Sequence, residues 1–248
     1  MRTAPQAGDV DRSLSEILSV AGHELTQPLT VALACARMMK EPAPAGFTED
    51  DRQQVHAILE RSLFQLQSLL EDLEVLAHLE TIGESDQEAE SRWGPIMVGR
   101  VLKMAADDFE ASHPRCDIEL KCEGDFRVRG ELVRVRQVLS NLLGNAAKFG
   151  TRGTPIHVEG HADGKDIVVT VHNEGLGFAS EKAGIIFGKH ARLGQVVVGR
   201  GWGLYVARAI VEAHGGRVWA ESEEGKGATF FISLPAWQGQ TPSTSSVI

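Results

Sequence analysis

The first eighty residues carry apolar positions at helical spacing. Between Leu14 and Ala36 an apolar side chain recurs every three or four residues, which predicts an amphipathic helix over residues 11–40. A break containing proline and glycine follows, and a second apolar stripe runs from Val55 to Leu76. Two long helices with one apolar face each predict a helical hairpin that pairs with a second copy into a four-helix bundle, so we expect a homodimer.

The pattern changes after a polar stretch at residues 81–91, which is rich in Glu, Ser, Gly and Asp and predicts a hinge. We therefore divide the chain into a hairpin at 11–82, a second domain at 92–236 and a disordered tail at 237–248. In the second domain the pattern predicts helices at 96–111, from 131 and at 203–214, and strands at 117–121, 126–129, 156–161, 167–172, 217–222 and 228–234. The predicted fold class is α+β.

Composition narrows the functional classes. A hydrophobic content of 42% is ample for a core, and the net charge of −9 argues against a nucleic-acid surface, so we expect a protein or nucleotide partner and no nucleic acid. The three cysteines form no C-x-x-C pair, which favours a reduced, cytoplasmic setting. No apolar run is long enough to cross a bilayer, so we expect no membrane segment in this chain.

Three polar residues of the predicted helix from 131 suggest a nucleotide site. Asn141, Asn145 and Lys148 lie four and three residues apart and therefore share one helix face. An amide oxygen is a suitable Mg²⁺ ligand, so we assign Asn145 to the metal and Lys148 to the phosphates. Downstream glycines at 199, 201 and 203 let backbone N–H groups approach phosphate oxygens, and a further glycine-rich turn at 175 and 177 faces the helix. The alternative is that the asparagines satisfy turns and the glycines form ordinary loops.

A histidine in the first helix supplies a candidate phosphoryl acceptor. Glu24 follows His23 directly, and Pro28 lies five residues after His23. Glu24 can accept a proton from one ring nitrogen and so make the other more nucleophilic, while Pro28 bends the helix locally. The alternative for His23 is an exposed polar residue or a hydrogen-bonded core histidine.

Taken together, these motifs resemble those of the two-component sensor histidine kinases over roughly residues 12–235. His23–Leu29 is similar to their H box, Asn141–Lys148 to the N box, Asn173–Gly177 to the G1 box and Gly199–Gly203 to the G2 box, and the stretch from Gly225 to Phe230 is similar to the closing glycine turn. The resemblance implies a dimerisation and histidine-phosphotransfer hairpin followed by a Bergerat-type (GHKL) α/β sandwich with a lid at about 174–198.

The resemblance also implies site residues and cofactors. ATP and Mg²⁺ are the expected cofactors, His23 and Glu24 the catalytic residues, and Asn145 the metal ligand. The implied ATP-binding residues are Asn141, Asn145, Lys148, Asn173, Gly175, Gly177, Arg192, Gly199, Arg200, Gly201, Gly203, Leu204 and Thr229. Four positions depart from the family pattern: Asn173 replaces the aspartate that accepts from the adenine amine, Gln27 a water-orienting Thr or Asn, His190 a phenylalanine of the lid, and Arg200 a small hydroxyl residue.

The function that the resemblance implies is autophosphorylation of His23 from Mg-ATP and transfer of the phosphoryl group to an aspartate of a response regulator receiver domain. We expect the signal to come from an upstream sensor domain or a separate protein. One alternative is a phosphotransfer or docking scaffold with a degenerate ATP domain. Another is a chaperone-type or topoisomerase-type ATPase of the same fold, which would not need the hairpin that carries His23.

Overall fold

The computed structural model describes residues 7–40, 47–81, 93–188 and 202–237. The chain divides into two compact units, Met1–Glu84 and Ser85–Ile248, and the division falls within the predicted hinge. In the described part of the chain, no helix combines the length and the apolar character needed to cross a membrane.

The first unit is a helical hairpin, as the two apolar stripes predict. Helix α1 (Ala7–Lys40) packs against helix α2 (Glu49–Thr81). Thr48 and Asp51 cap α2 reciprocally: the Asp51 carboxylate accepts from the backbone N–H and the hydroxyl of Thr48, and Asp51 N–H donates to Thr48 Oγ1. These hydrogen bonds lower the pKa of the Asp51 carboxyl.

Only part of the apolar stripes is covered within one chain. The buried positions of the hairpin include Ala32, Cys35, Val55, Leu69 and Val75. Leu29 and Leu33, which belong to the predicted buried stripe, are 47% and 50% exposed, and Leu63 and Leu70 of α2 are 52% and 55% exposed. The hairpin thus retains an apolar surface that another partner could bury.

The second unit follows the predicted alternation of helices and strands. Its elements are β1 (Gly94–Met97), α3 (Val98–Ser112), β2 (Ile118–Cys122), β3 (Arg127–Gly130), α4 (Leu132–Phe149), β4 (Ile156–Asp163), β5 (Asp166–Asn173), a 3₁₀ turn (Ser180–Lys182), α5 (Gly203–Ala213), β6 (Arg217–Glu223) and β7 (Gly227–Pro235). The predicted start of a helix at residue 96 is wrong, because Ile96 belongs to β1 and pairs with Val128 of β3. The α+β class is confirmed.

Five of the strands form one mixed sheet in the order β2-β4-β5-β7-β6, with β2 parallel to β4 and the other pairs antiparallel. Successive side chains of a strand point to opposite faces, and the alternate residues Ile167, Val169 and Val171 of β5 are all buried. The face of the sheet to which they belong packs against α3, α4 and α5, whose apolar stripes include the fully buried Leu142 and Val206. The unit is therefore a two-layer α/β sandwich, and its sheet keeps a second face that bears polar side chains.

Candidate nucleotide and phospho-acceptor sites

Helix α4 presents the predicted asparagine face. Its apolar stripe is buried against the sheet and α5, while Asn141 and Asn145 are partly buried and Lys148 is exposed. The Asn145 side-chain nitrogen donates to the Asn141 carbonyl oxygen at 2.8 Å. This bond orients the amide and leaves its oxygen, the atom that a hard cation requires, as the ligand atom of Asn145. The donor chemistry at this position therefore fits Mg²⁺.

The start of α5 lies directly against this face. A side chain at Gly203 would place its Cβ 3.2 Å from Oδ1 of Asn141, so glycine allows the first turn of α5 to approach α4 closely. Trp202, just before it, is 1% exposed and anchors the turn in the core, and Leu204 is partly buried. The other predicted residues of this loop, Arg192, Gly199, Arg200 and Gly201, lie outside the described residues, as does His190.

The two glycines of the predicted G1 box are required by backbone packing. A Cβ at Gly175 would lie 2.2 Å from the Phe149 carbonyl oxygen, and one at Gly177 would lie 2.1 Å from the Glu223 carbonyl oxygen. Gly177 also has φ +56°, a conformation that glycine adopts without strain. Gly175 bridges Gly150, just after α4, and so joins the segment after β5 to the asparagine helix, whereas Gly177 packs against the end of β6.

Asn173, the last residue of β5, carries the most informative atom of the unit. Its side chain is 2% exposed, and its Nδ2 donates to the Glu174 carbonyl oxygen at 3.3 Å. Its Oδ1 is buried and accepts no hydrogen bond from the described residues. A buried acceptor without a donor costs about 1–3 kcal/mol, so this oxygen is a ready acceptor for an N–H group of a ligand. Asn173 therefore fits the role of base acceptor that the resemblance implies.

Thr229 is not brought together with Asn173. In the register of β5 and β7, Asn173 lies opposite Ala228, whereas Thr229 lies opposite His172, on the other face of the sheet. The Thr229 hydroxyl oxygen is 2.9 Å from Nδ1 of His172. We therefore omit Thr229 from the nucleotide site proposed below, because strand alternation directs it away from the helices.

His214 is a buried residue of this unit that the sequence analysis missed. It ends α5, its Nδ1–H donates to the Ile210 carbonyl oxygen at 2.7 Å, and its Nε2 accepts from the backbone N–H of Glu131 at 3.1 Å. Its ring stacks on Trp93 with the centroids 4.6 Å apart. Burial is the main cause that lowers the pKa of His214, so the neutral ring joins the end of α5 to the start of α4. This role depends on a contact between two segments far apart in the sequence, so sequence patterns could not reveal it.

The candidate acceptor lies in the first unit. His23 is within α1, and its side chain is outside the described part of the chain. Glu24 is partly buried, Gln27 is exposed and Pro28 is buried inside the helix. Proline lacks the N–H that would bond the carbonyl of the residue four positions earlier, which is Glu24, so the helix loses one backbone hydrogen bond one residue after His23.

Two family models match the chain in the order in which the two units occur. Residues 13–82 match the model described as "His Kinase A (phospho-acceptor) domain", and residues 130–238 match the "Histidine kinase-, DNA gyrase B-, and HSP90-like ATPase". The chain belongs to the two-component histidine kinases. The phospho-acceptor match separates this chain from the gyrase-like and HSP90-like proteins whose family model its second unit also matches.

Relatives with known names agree with this assignment. The sensor histidine kinase AruS of Pseudomonas aeruginosa is 30% identical over 260 residues, which cover 99% of this chain and 25% of AruS. The adaptive-response sensory kinase SasA of Prochlorococcus marinus is 31% identical over 235 residues, covering 92% of this chain and 60% of SasA. This chain thus spans between a quarter and three-fifths of the length of these relatives. Among solved structures, the catalytic domain of the histidine kinase ThkA aligns with a TM-score of 0.52 and 26% identity, covering 58% of this chain and 95% of that domain.

Proposed function

We propose that the protein binds ATP with Mg²⁺, phosphorylates its own His23 and passes the phosphoryl group to an aspartate of a response regulator receiver domain. The family of both units supports this function. The observation that carries it is the buried, unsatisfied Oδ1 of Asn173 at the end of β5, because the resemblance requires an acceptor for the adenine amine at this position.

The nucleotide site that we propose lies between α4, the start of α5 and the end of β5. Asn173 accepts from the base, Asn145 supplies an amide oxygen to Mg²⁺, and Lys148 contributes positive charge to the phosphates. Gly175 and Gly177 hold the edge of the site, while Asn141 packs against Gly203. The remaining predicted members are Leu204 and the loop residues Arg192, Gly199, Arg200 and Gly201. When bound, Mg²⁺ neutralises charge that develops on the phosphate oxygens.

Phosphoryl transfer proceeds in two steps. A ring nitrogen of His23 attacks the γ-phosphorus, the bond from that phosphorus to the β–γ bridging oxygen breaks, and ADP leaves. Glu24 accepts the proton of the other ring nitrogen and so increases the nucleophilicity of the imidazole. In the second step a carboxylate oxygen of the receiver domain attacks the phosphorus, and the bond to the histidine nitrogen breaks.

We propose that the kinase acts as a homodimer. The exposed residues Leu29 and Leu33 on α1 lie four positions apart and therefore share one helix face. On α2, the exposed Leu63 and Leu70 lie seven positions apart and share a face in the same way. Burying such stripes against a second hairpin removes apolar surface from water, which one hairpin alone cannot do. An upstream sensor segment or a separate protein would supply the signal, and we propose that the kinase works in the cytoplasm.

The function is tested by incubating the purified chain with γ-labelled ATP and Mg²⁺. We expect label that is stable in base, labile in acid and absent from His23→Gln, while the matched variant His56→Gln, which changes an exposed histidine of the same hairpin, keeps it. Label that survives in His23→Gln, or steady ATP hydrolysis without any labelled protein, would contradict the proposal.

A further inference from the structure

The face of the sheet that points away from the helices carries an ordered polar row. The strand registers place Glu119, His157, His172, Thr229 and Glu221 side by side, one from each of the five strands. Directly opposed residues of neighbouring strands share a face, so the five side chains form one line across the sheet. The nucleotide site proposed above uses none of them, and the inference drawn from them does not depend on that site.

The two central histidines are held at their Nδ1 atoms. The rings of His157 and His172 have centroids 6.0 Å apart and an interplanar angle of 32°. Nδ1 of His157 lies 3.2 Å from Oε2 of Glu119, and Nδ1 of His172 lies 2.9 Å from Oγ1 of Thr229. An ionised carboxylate only accepts hydrogen bonds, so a neutral His157 ring that donates to Glu119 does so from Nδ1 and keeps its lone pair on Nε2.

This arrangement is the one that metal-binding histidines use. A ligating imidazole binds the ion through one nitrogen and donates the N–H of the other to a carboxylate or another oxygen, which fixes the tautomer and the ring orientation. Two imidazole nitrogens at about 2.0–2.1 Å from one ion, with an angle of about 90–110° at the ion, place the ring centroids roughly 4.5–5.3 Å apart. The observed separation of 6.0 Å therefore requires the two rings to approach each other by about 1 Å, which a small side-chain rotation provides.

We propose that His157 and His172 bind one divalent transition-metal ion through their Nε2 atoms, with Glu119 and Thr229 orienting the rings. Imidazole ligands suit Ni²⁺, Cu²⁺ and Zn²⁺, whereas Mg²⁺ and Ca²⁺ prefer oxygen. Among the described residues, no third His, Cys, Asp or Glu side chain joins the two histidines in a metal-binding group, so water would complete the coordination. The His157 side chain is 38% exposed and leaves room for that water.

The bound ion would cross-link β4 and β5 at His172, the residue immediately before Asn173. Because only the folded sheet brings the two histidines together, metal binding stabilises the second unit, and its stabilisation grows with the ion concentration. This effect gives a readout that is independent of kinase activity.

Isothermal titration of the full chain with Ni²⁺, without Mg²⁺ or nucleotide, tests the proposal. We expect one equivalent of binding to be lost in His157→Gln and in His172→Gln and retained in His161→Gln. His161 is the matched control because it is exposed on the same strand and face but lies opposite Val168 rather than a second histidine. Glu119→Gln should retain the site with an affinity lowered at least about tenfold.

A second measurement guards against misfolded variants. Ni²⁺ should raise the unfolding temperature of the parent and of His161→Gln, with no rise for the double variant of His157 and His172, whose unfolding without metal must remain cooperative. Loss of the same equivalent in His161→Gln, unchanged binding in either His157→Gln or His172→Gln, or no binding to the parent at micromolar Ni²⁺ would overturn the proposal.

Discussion

Replacing Asn173 by leucine should change nucleotide affinity and stability in opposite directions. Leucine keeps the branched shape of asparagine but removes the amide. Without nucleotide, Oδ1 of Asn173 is buried and lacks a donor among the described residues, and removing this acceptor gains about 1–3 kcal/mol. The variant also loses the hydrogen bond from Nδ2 to the Glu174 carbonyl oxygen, which is worth about 0.5–1.5 kcal/mol. We expect a net stabilisation of about 1 kcal/mol.

Nucleotide binding should weaken in the same variant. The adenine amine would be buried beside a methyl group instead of an acceptor, at a cost of about 1–3 kcal/mol, which corresponds to roughly 5–150-fold in affinity. Titration calorimetry with ADP measures this loss. All four tryptophans of the chain lie at or after Trp93, so tryptophan fluorescence reports the unfolding of the second unit alone. A gain of 1 kcal/mol should raise its unfolding temperature by roughly 2–4 °C.

Asn173→Asp is the matched control, because it keeps the acceptor and adds charge. It should bind adenine nucleotides more tightly than the parent, since a charge-assisted hydrogen bond is roughly twice as strong as a neutral one, and it should be less stable without nucleotide, because it buries a charge. If Asn173→Leu lowers the stability and leaves ADP affinity unchanged, Asn173 is a structural residue and the assignment of the base acceptor is wrong.

Three further predictions concern the same unit. The pKa of His214 lies below its ordinary value of 6.5, so the unfolded chain binds the proton more readily than the folded chain. The stability of the second unit should therefore fall as the pH drops below about 6.5. His214→Gln should remove this part of the pH dependence of thermal unfolding. Gly177→Ala should cost more than about 2 kcal/mol in denaturant unfolding, because of the positive φ and the clash with a backbone oxygen. Gly144→Ala is its control, because a Cβ there meets nothing within 4 Å, and it should stabilise α4 by about 0.5–1 kcal/mol. Asn145→Ala should weaken ADP binding in Mg²⁺ and leave it unchanged in EDTA; equal losses in both would contradict a metal ligand.

Helices could be predicted from the sequence wherever apolar residues recur at helical spacing over several turns. The hairpin stripes and α4 are of this kind, since each buries one face along several turns. Strand β1 was not predicted, because its four residues show no apolar–polar alternation in the sequence. They form a strand only by pairing with β3.

The positions of the candidate site residues were predictable where a motif fixes them within one element. Asn141 and Asn145 share a helix face by spacing alone. Thr229 could not be placed in this way, because its face depends on the register of β7 against β5, and that register depends on packing far along the chain. The role of His214 and the pairing of His157 with His172 likewise depend on contacts between distant segments.

The central claim is that the asparagine face of α4 and the histidine of α1 belong to one reaction. The most direct test is peptide mapping by mass spectrometry after the full chain is incubated with ATP and Mg²⁺. We predict one phosphoryl group on the peptide that contains His23 in the parent, and a strong reduction in Asn145→Ala, whose unfolding temperature should match that of the parent. A phosphoryl group on another peptide, or equal modification of His23 in Asn145→Ala, would contradict the account.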